Sequence, residues 1–325
     1  MNELEINKKT IELFLVEKLP WLLIPLFYLG FVIVRPSLLN FNMILFMIYS
    51  VIPLGFLVLA QSICLISGNI DLSVAAITGF VGMISGLILV ANTTIPAYAS
   101  PLIPILVGAI CGLLNGFLIG ILDFNPFIVT LGTMMFFHGL RFFIYRSTIL
   151  GKDLPSVYLI FGGRIEVSIL SFAVILGVFW LILNYTRFGT YVYAIGCSSQ
   201  TAQMMGINVR IIKFFVYIIS GALSGLSALY YTGFNNAVPV TMAEESLFPS
   251  FAGAVLGGVS LAGGRGSVLN AFAGTLLLAV VEGGLTAFEI SPTEREIAYG
   301  LLVVIAIWIN KMRDQIRDSI LKPKL

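Results

Sequence analysis

The sequence contains very little charge. Only 10% of its 325 residues are Asp, Glu, Lys or Arg, whereas 58% are hydrophobic and the mean hydropathy is +1.02. A water-soluble chain of this length needs a much more charged surface, so the composition excludes an ordinary soluble protein. The formal net charge of +2 is too small to indicate nucleic-acid binding, and none is predicted.

Residues that carry most enzymatic and metal chemistry are also scarce. His138 is the single histidine, and the three cysteines show neither disulfide-like nor metal-ligand spacing. No nucleophile elbow, His pair at metal spacing or phosphate-binding loop occurs, and the glycine-rich run 257–267 fails the dinucleotide pattern because position 269 is leucine. We therefore predict no catalytic residues, no metal and no cofactor in this chain.

Long apolar segments dominate the sequence. In lipid, backbone polar groups must be satisfied within each segment, which favours helices of about 20 residues. The sequence predicts an all-α, polytopic membrane protein with ten spans. They are 19–34, 41–66, 71–90, 98–122, 126–146, 167–184, 211–231, 250–262, 267–285 and 297–310.

Two of these spans are unusual. Span 41–66 contains Pro53 and Gly55, which predicts a kink or a break. Span 250–262 is short and rich in glycine, which is typical of a half-helix or a re-entrant segment.

Basic residues predict the orientation of the spans. With the N-terminus in the cytoplasm, that side holds Lys8, Lys9, Lys18, Arg187, Arg210, Lys213, Arg265, Lys311, Arg313, Arg317, Lys322 and Lys324. The other side holds Arg35, Arg141, Arg146, Lys152, Arg164 and Arg295. We predict both termini in the cytoplasm, with no cleavable signal peptide. The predicted regions are an amphipathic N-terminal segment (1–18), a transmembrane domain (19–310) and a basic tail (311–325).

A polar tract, 185–213, interrupts the apolar pattern on the predicted cytoplasmic side. Ser198 and Ser199 are residues that cap helix N-termini, and Gly206 can end a helix in a left-handed conformation. The short helix between them is too polar to span a bilayer. Two interpretations remain open: a docking element for another protein, or an ordinary cytoplasmic loop.

Glycines at four-residue spacing predict close helix packing. Gly108, Gly112, Gly116 and Gly120 share one face of span 98–122. Smaller pairs are Gly82 with Gly86 and Gly221 with Gly225. We interpret these as packing faces rather than as ligand sites.

Several polar residues in or between the spans are candidates for a solute path. Asp71 is expensive to place in a bilayer, so it either caps span 71–90 or lines a polar path together with Asn69 and Ser73. Thr130 and Thr133 share a helix face, and they either bind a solute or bond back to their own helix.

Two further polar residues, Asn125 and Glu282, belong to this group, and the single histidine does not. Asn125 precedes Pro126, which suits the first position of a helix. Glu282 lies inside span 267–285, facing either a path or an interface, or snorkelling to the surface. His138 is interpreted as a hydrogen-bonded packing residue.

The span directions allow an internal symmetry. The group formed by the second to fifth spans would begin outside, and the group formed by the seventh to tenth would begin inside. Two groups of four spans with opposite orientations are expected of an inverted repeat. A short likeness between 67–73 and 257–261 accompanies it. A many-helix chain without a nucleotide site but with a docking tract favours transport powered by a partner.

Several motifs together resemble one known family. Gly68–Val74 (G-N-I-D-L-S-V), Asn125–Met134, Ala194–Gly196, Ala202–Val209 and Gly257–Ser267 resemble the ribose-type permeases of ABC importers, within the branched-chain amino-acid/ribose permease superfamily. The resemblance covers roughly residues 41–310, and the G-x-I-D-L-S pattern is typical of its sugar branch.

The resemblance implies a type II importer fold and a set of partners. Two permease copies would form the path, ATPase subunits holding ATP-Mg would bind below, and an external binding protein would deliver the solute. The helix around Ser199–Met205 would be the coupling helix that contacts the ATPase. The predicted coupling residues are Ser199, Gln200, Thr201, Ala202, Gln203, Met204, Met205 and Gly206.

The sequence also departs from the family pattern. Asn69 and Ala75 replace glycines, Thr190 replaces an arginine, and the acidic residue usual before the Gly-Gly turn is displaced to Glu244 and Glu245. These departures concern the solute more than the fold. They also leave open whether the permease pairs with itself or with a sister chain.

The predicted function is therefore a permease for a monosaccharide or a similar polar solute in a bacterial or archaeal cytoplasmic membrane. Three alternatives remain. The first is a permease for a nucleoside, a quorum-signal sugar or a branched-chain amino acid. The second is a carrier driven by an ion gradient, and the third is an intramembrane enzyme acting on lipid.

Overall fold

The structure is a computed structural model. It describes the backbone of residues 3–92 and 94–321, and the side chains of residues 18–92, 94–291, 294–313 and 315–317. Its helices are α1 (Glu3–Val34), α2 (Phe41–Ser50), α3 (Ile52–Ile66), α4 (Val74–Ala91), α5 (Leu102–Gly116), α6 (Pro126–Ile144), α7 (Ser156–Gly163), α8 (Ile165–Tyr185), α9 (Arg187–Cys197), α10 (Ser199–Met204), α11 (Val209–Asn235), α12 (Leu247–Leu256), α13 (Val268–Ala287) and α14 (Pro292–Leu321). Two short strands, β1 (Ile149–Leu150) and β2 (Ala237–Val238), pair antiparallel with Ile149 opposite Val238.

Polar side chains mark where many of these helices begin. An N-cap oxygen accepts a hydrogen bond from a backbone N–H of the following helix at Asn40, Asn125, Thr186, Ser198 and Asn208. Such caps satisfy donors that have no partner within the helix. The short polar connections therefore set the start of each apolar helix.

The apolar helices confirm an all-α, polytopic membrane protein. Among the described residues, six helices are long and apolar enough to cross a bilayer: α4, Ala97–Ile121, α6, α8, α11 and α13. The pair α2–α3, bent by 45°, makes a seventh if it is one span. The predicted spans 19–34, 250–262 and 297–310 are not among them, so the count of ten is not confirmed.

Both unusual spans have the predicted shapes. Span 41–66 is bent between α2 and α3, with Pro53 near the start of α3, where its missing N–H costs no helical bond. The eighth predicted span contains α12, which has ten residues and is therefore only about 15 Å long.

Helices α3 and α12 end in the same way. After each, a glycine turns left-handed (Gly68 at φ +76°, Gly258 at φ +82°) and two backbone bonds close the turn, 2.9 and 2.9 Å after α3 and 2.8 and 3.0 Å after α12. The helices run parallel, with Val58 near Gly253 and the carbonyl of Ile66 accepting from Gly264 N–H at 2.8 Å. An inverted repeat would place matching turns at opposite ends. The likeness of 67–73 to 257–261 therefore reflects a shared helix ending, and the inverted repeat stays a prediction.

The predicted glycine face of α5 packs directly on α11. A Cβ built on Gly120 would lie 2.6 Å from the backbone nitrogen of Phe214, and Gly108 and Gly112 face backbone atoms of α11 in the same way. Gly221 on α11 faces α5. This confirms the packing interpretation, since only glycine lets two backbones approach this closely.

The glycine pair of α4 has a different neighbour. Gly82 faces the sulfur of Met242, and Gly86 faces Ile149 and Val238 of the β1–β2 ladder. The pair therefore accommodates an irregular connection rather than another helix.

The connections between helices collect at two ends of the molecule. The α10 face holds residues 67–73, 122–125, 186–208 and 257–267, joined by contacts such as the Tyr193 hydroxyl to the Gly266 carbonyl at 3.0 Å. The β1–β2 face holds residues 145–155 and 236–246, joined by the strand pair.

The N- and C-terminal regions continue adjacent helices. Helix α1 runs without a break from Glu3 to Val34 through Pro20 and Pro25, and α14 continues to Leu321. The side chains of residues 1–17 and the lysines at 322 and 324 lie outside the described part, so the amphipathic segment and the basic tail stay predictions.

Candidate coupling surface and translocation path

Helix α10 is a separate, fully capped element on the α10 face. The Ser198 hydroxyl accepts from Thr201 N–H at 3.2 Å, and Gly206 ends the helix at φ +82°. Ser199 plays a different part, because its hydroxyl donates back to the carbonyl of Ile195 at 3.1 Å. The predicted capping and glycine termination are confirmed, and Ser198 rather than Ser199 is the cap.

One side of α10 holds the helix to the protein and the other is open. Ala202 is 2% exposed, whereas Met204 is 88% and Met205 is 77% exposed. Gln200, Thr201 and Gln203 are also exposed. Two adjacent, flexible thioethers on a protruding polar helix form a surface that can bind another protein.

Helix α9 attaches α10 to the broken helices. Gly196 is buried against the carbonyl of Ile66, so that no side chain fits between them. The Tyr193 hydroxyl donates to the carbonyl of Gly266 at 3.0 Å, and burial raises the pKa of this phenol, which keeps it protonated. A force applied at α10 therefore reaches the turns after α3 and α12 through direct contacts.

Asp71 lies in the irregular segment between α3 and α4. Its carboxylate accepts from Ser73 N–H at 2.9 Å and from the Ser220 hydroxyl at 2.9 Å. Ser220 is about 16 Å along α11 from Val209 at 1.5 Å per residue. Ser73 also donates to Asp71 and accepts from Asn115 Nδ2 at 2.8 Å.

This network answers part of the question raised by the sequence. Asp71 is 1% exposed and folds back on the segment that precedes α4, so it is not the cap of that helix. Asn69, also buried, donates to the carbonyl and the hydroxyl of Ser67 at 3.0 and 2.8 Å. In the described structure these two side chains and Ser73 hold a helix break together, and their contribution to a solute path stays a prediction.

The polar residues of α6 bond to their own helix. Asn125 caps it by accepting from Phe127 N–H at 3.0 Å. Thr130 and Thr133 are buried and donate to the carbonyls of Pro126 at 2.8 Å and of Thr130 at 3.4 Å. The arrangement follows the back-bonding alternative.

An ion pair joins α6 to the β1–β2 face. Arg141 is 1% exposed and pairs with the half-exposed carboxylate of Glu244, and it also donates to the carbonyl of Met242 at 3.0 Å. A Cβ at Gly79 would overlap the Arg141 guanidinium. A buried guanidinium without a counter-charge would be costly in lipid, so this pair holds the connection 239–246 against α4 and α6.

Glu282 lines a cavity behind this connection. The cavity has a volume of about 470 Å³ and lies between the ends of α11 and α13 and the starts of α12 and α14. Tyr231, Tyr299, Glu244 and Glu245 also line it. The path-facing interpretation of Glu282 is consistent with this position.

The structure thus separates the sequence-predicted residues into two groups. Asn69, Asp71, Ser73 and Asn125 belong to the half of the molecule that carries α10, whereas Glu282 lies near the β1–β2 face. Sequence reasoning missed the Arg141–Glu244 pair. An arginine within an apolar span and an unexplained acidic pair at 244–245 were the signals that could have found it.

The fold and these sites define a class of protein. It is a multi-pass helical membrane protein with irregular turns after α3 and α12 and an exposed, capped helix attached to those turns through α9. The chain belongs to the family described as the branched-chain amino acid transport system permease component, whose model matches residues 43–307. It is a transport subunit rather than an enzyme, as the resemblance found in the sequence implies.

Curated relatives of this family cover most of the chain. A fructose import permease protein, FrcC of Rhizobium meliloti, is 32% identical over 268 residues, 78% of this chain and 74% of that protein. The autoinducer 2 import system permease protein LsrD of Enterobacter sp. (strain 638) is 28% identical over 306 residues, 89% of this chain and 92% of that protein. LsrD of Salmonella typhi is 27% identical over 290 residues, 86% of each chain. No solved structure matches the chain.

Proposed function

We propose that this chain is the permease subunit of an ABC importer for a sugar-type solute. The observation that carries the proposal is helix α10, an exposed docking element on a transport subunit whose sequence has no nucleotide-binding motif. The names of its relatives, which import fructose and autoinducer 2, support a small polyhydroxylated solute.

The ATPase partner binds the α10 face. Met204 and Met205 provide apolar contact, while Gln200, Thr201 and Gln203 provide hydrogen bonds around it. ATP-Mg is held by that partner, and the motion it drives reaches the helix breaks through α9.

The remaining partners follow from the separation of the α10 face from the β1–β2 face. A binding protein delivers the solute at the β1–β2 face, and a second permease, identical or a sister chain, completes the path. The protein lies in a bacterial or archaeal cytoplasmic membrane, surrounded by lipid, with both termini in the cytoplasm.

Reconstitution tests this proposal. The chain is assembled with the ATPase and binding protein that adjoin its gene, in proteoliposomes, and uptake of radiolabelled sugar is measured with and without ATP. Replacing Gln200, Gln203 and Met204 together with glycine should abolish ATP-driven uptake while the protein still inserts. Normal uptake by this triple variant, or uptake by the chain alone, would refute the proposal.

Autoinducer 2 is a second candidate solute. The LsrD relatives cover a larger share of this chain than FrcC does. Thermal shifts of the partner binding protein, measured with fructose, ribose and autoinducer 2, decide between them. At micromolar concentration, only the solute that the system imports should raise the melting temperature of the binding protein.

A further inference from the structure

The cavity near the β1–β2 face has the size of a small-molecule site. Its volume of about 470 Å³ falls within the 300–1,000 Å³ typical of ligand pockets. It lies inside one subunit, behind the connection 239–246 that Arg141 and Glu244 hold in place. A solute arriving at this face would meet the cavity before it reached the helix breaks.

The lining combines hydroxyl, carboxylate and aromatic groups. Tyr231 and Tyr299 contribute aromatic rings, and the Tyr231 hydroxyl is hydrogen-bonded to Ser246 Oγ at 2.9 Å. The carboxylates of Glu245 and Glu282 lie among them. Carboxylate oxygens accept hydrogen bonds, so this lining suits a ligand that donates several.

The charges of the lining exclude one class of ligand. Glu244 is paired with Arg141, whereas no ion pair is found for Glu245 or Glu282 within the described structure. Arg295 acts on Glu282 electrostatically, but none of the described lining residues is a lysine or an arginine. A phosphorylated sugar, a sugar acid or a phospholipid headgroup would therefore be repelled.

We propose that this cavity is a transient binding site for an uncharged, polyhydroxylated solute on its way into the path. The proposal rests on the proposed sugar-import function and names the solute chemistry that the subunit itself selects. The Glu282 carboxylate accepts hydrogen bonds from solute hydroxyls, and the ring of Tyr299 packs against the apolar C–H face of the sugar.

A neighbouring cavity indicates where the solute goes next. Glu244 also lines a second cavity of about 380 Å³, together with Ala75, Ala76 and Arg141. Ala75 and Ala76 belong to the first turn of α4, directly after the segment that contains Asp71. Glu244 thus lines both the proposed site and the groove that leads to the helix break, and Arg141 holds its carboxylate in place between them.

Equilibrium binding measures the proposed site without the binding protein. The full chain is assembled with its ATPase in nanodiscs, without ATP, and titrated with radiolabelled fructose and ribose, with glucuronate as an anionic competitor. At least one neutral sugar should bind saturably at millimolar concentration, and glucuronate should not displace it. Glu282→Gln should weaken binding about tenfold, the loss of one charge-assisted hydrogen bond.

Two further variants keep the result interpretable. Glu166→Gln removes an exposed carboxylate at the start of α8, outside the cavity, and should leave binding unchanged. Tyr299→Ala removes a half-buried ring and should weaken binding even if Glu282→Gln fails to assemble.

The outcomes separate this inference from the proposed function. No saturable binding of either sugar, or equal affinity in Glu282→Gln, Tyr299→Ala and Glu166→Gln, overturns the cavity site. ATP-driven uptake with the binding protein, measured on the same preparation, tests import itself. Uptake without cavity binding therefore rejects only the present inference.

Discussion

Two charged side chains are buried among the described residues, and each is stabilised differently. Asp71 receives hydrogen bonds from a backbone N–H and from serine hydroxyls. Arg141 instead has a carboxylate partner, Glu244, and a backbone carbonyl. A carboxylate can be satisfied by several neutral donors, whereas a buried guanidinium keeps its charge and needs a counter-ion.

Glu244→Gln should destabilise the protein because it leaves Arg141 buried without a counter-charge. Breaking a buried pair costs about 3 kcal/mol, and the half-exposed Glu244 places this case at or below that figure. We expect the apparent melting temperature in detergent to fall by several degrees. Glu245→Gln is the matched control, since the neighbouring carboxylate has no ion pair in the described structure; equal shifts for both variants would contradict this account of the pair.

Gly112→Ala should disrupt the packing of α5 on α11. The added methyl group would overlap the carbonyl oxygen of Tyr217 and lie 3.0 Å from Ile218 Cα, and backbone atoms cannot move aside as side chains do. Overpacking of this kind costs about 1–3 kcal/mol, so less folded protein should survive heating in detergent.

Gly177→Ala in α8 is the control for this substitution. A Cβ there has nothing within 4 Å, and alanine is the better helix former by about 1 kcal/mol. It should leave stability unchanged or raise it slightly. A similar loss in the two variants would show that the glycine face is not a packing requirement.

At the scale of elements, α10 depends on its caps. It has six residues, far fewer than an isolated helix needs to be stable in water. Its stability therefore comes from the Ser198 cap, the left-handed Gly206 and the single buried side chain of Ala202. A surface held in this way can be weakened by one substitution without unfolding the membrane domain.

Ser198→Ala should uncouple transport from ATP hydrolysis. Loss of an N-cap costs about 1 kcal/mol, which is large for a helix of this length. We expect the amount of solute imported per ATP hydrolysed to fall several-fold in proteoliposomes. Ser199→Ala removes only a bond to the carbonyl of Ile195 and should stay close to the unmodified protein; reversal of this order would exclude Ser198 as the functional cap.

The irregular turns that follow α3 and α12 are a second feature at the level of secondary-structure elements. Both end in left-handed glycines and lie against each other and against α9. Irregular backbone at membrane depth is tolerated where protein or a water-filled cavity surrounds it. Such breaks are places where a membrane protein can change shape, and here they contact α9, which leads directly into α10.

At the scale of the whole molecule, the two faces differ in chemistry. The α10 face carries the exposed methionines of the proposed coupling surface, and the β1–β2 face carries the cavity lined by carboxylates. This polarity matters only if the α10 face lies in the cytoplasm, as the distribution of basic residues predicts.

The native Cys197 allows a direct test of orientation. It is exposed next to α10, whereas Cys64 and Cys111 are buried. A membrane-impermeant maleimide should therefore label Cys197 in inside-out vesicles that contain the permease alone, and not in right-side-out vesicles. Asp153→Cys, exposed near the β1–β2 face, should show the opposite pattern when it is combined with Cys197→Ser. Labelling of Cys197 from outside would reverse the topology and remove the proposed ATPase contact.

Local features of the protein were readable from the sequence. Apolar runs predicted the membrane helices, Pro53 accompanied the bend between α2 and α3, and Gly206 marked the end of α10. Each of these depends on residues within one or two turns of one another, where side-chain chemistry acts directly on the backbone. The glycine spacing of α5 likewise required only the helical period.

Long-range partners were decided by the tertiary structure alone. Arg141 and Glu244 are 103 residues apart, and Asp71 and Ser220 are 149 residues apart. No local pattern links such positions, because their meeting depends on how α4, α6 and α11 pack. The sequence by itself determined a helical membrane protein with a short, capped polar helix, and only packing decided which buried charge met which partner and where a cavity formed between the helix ends.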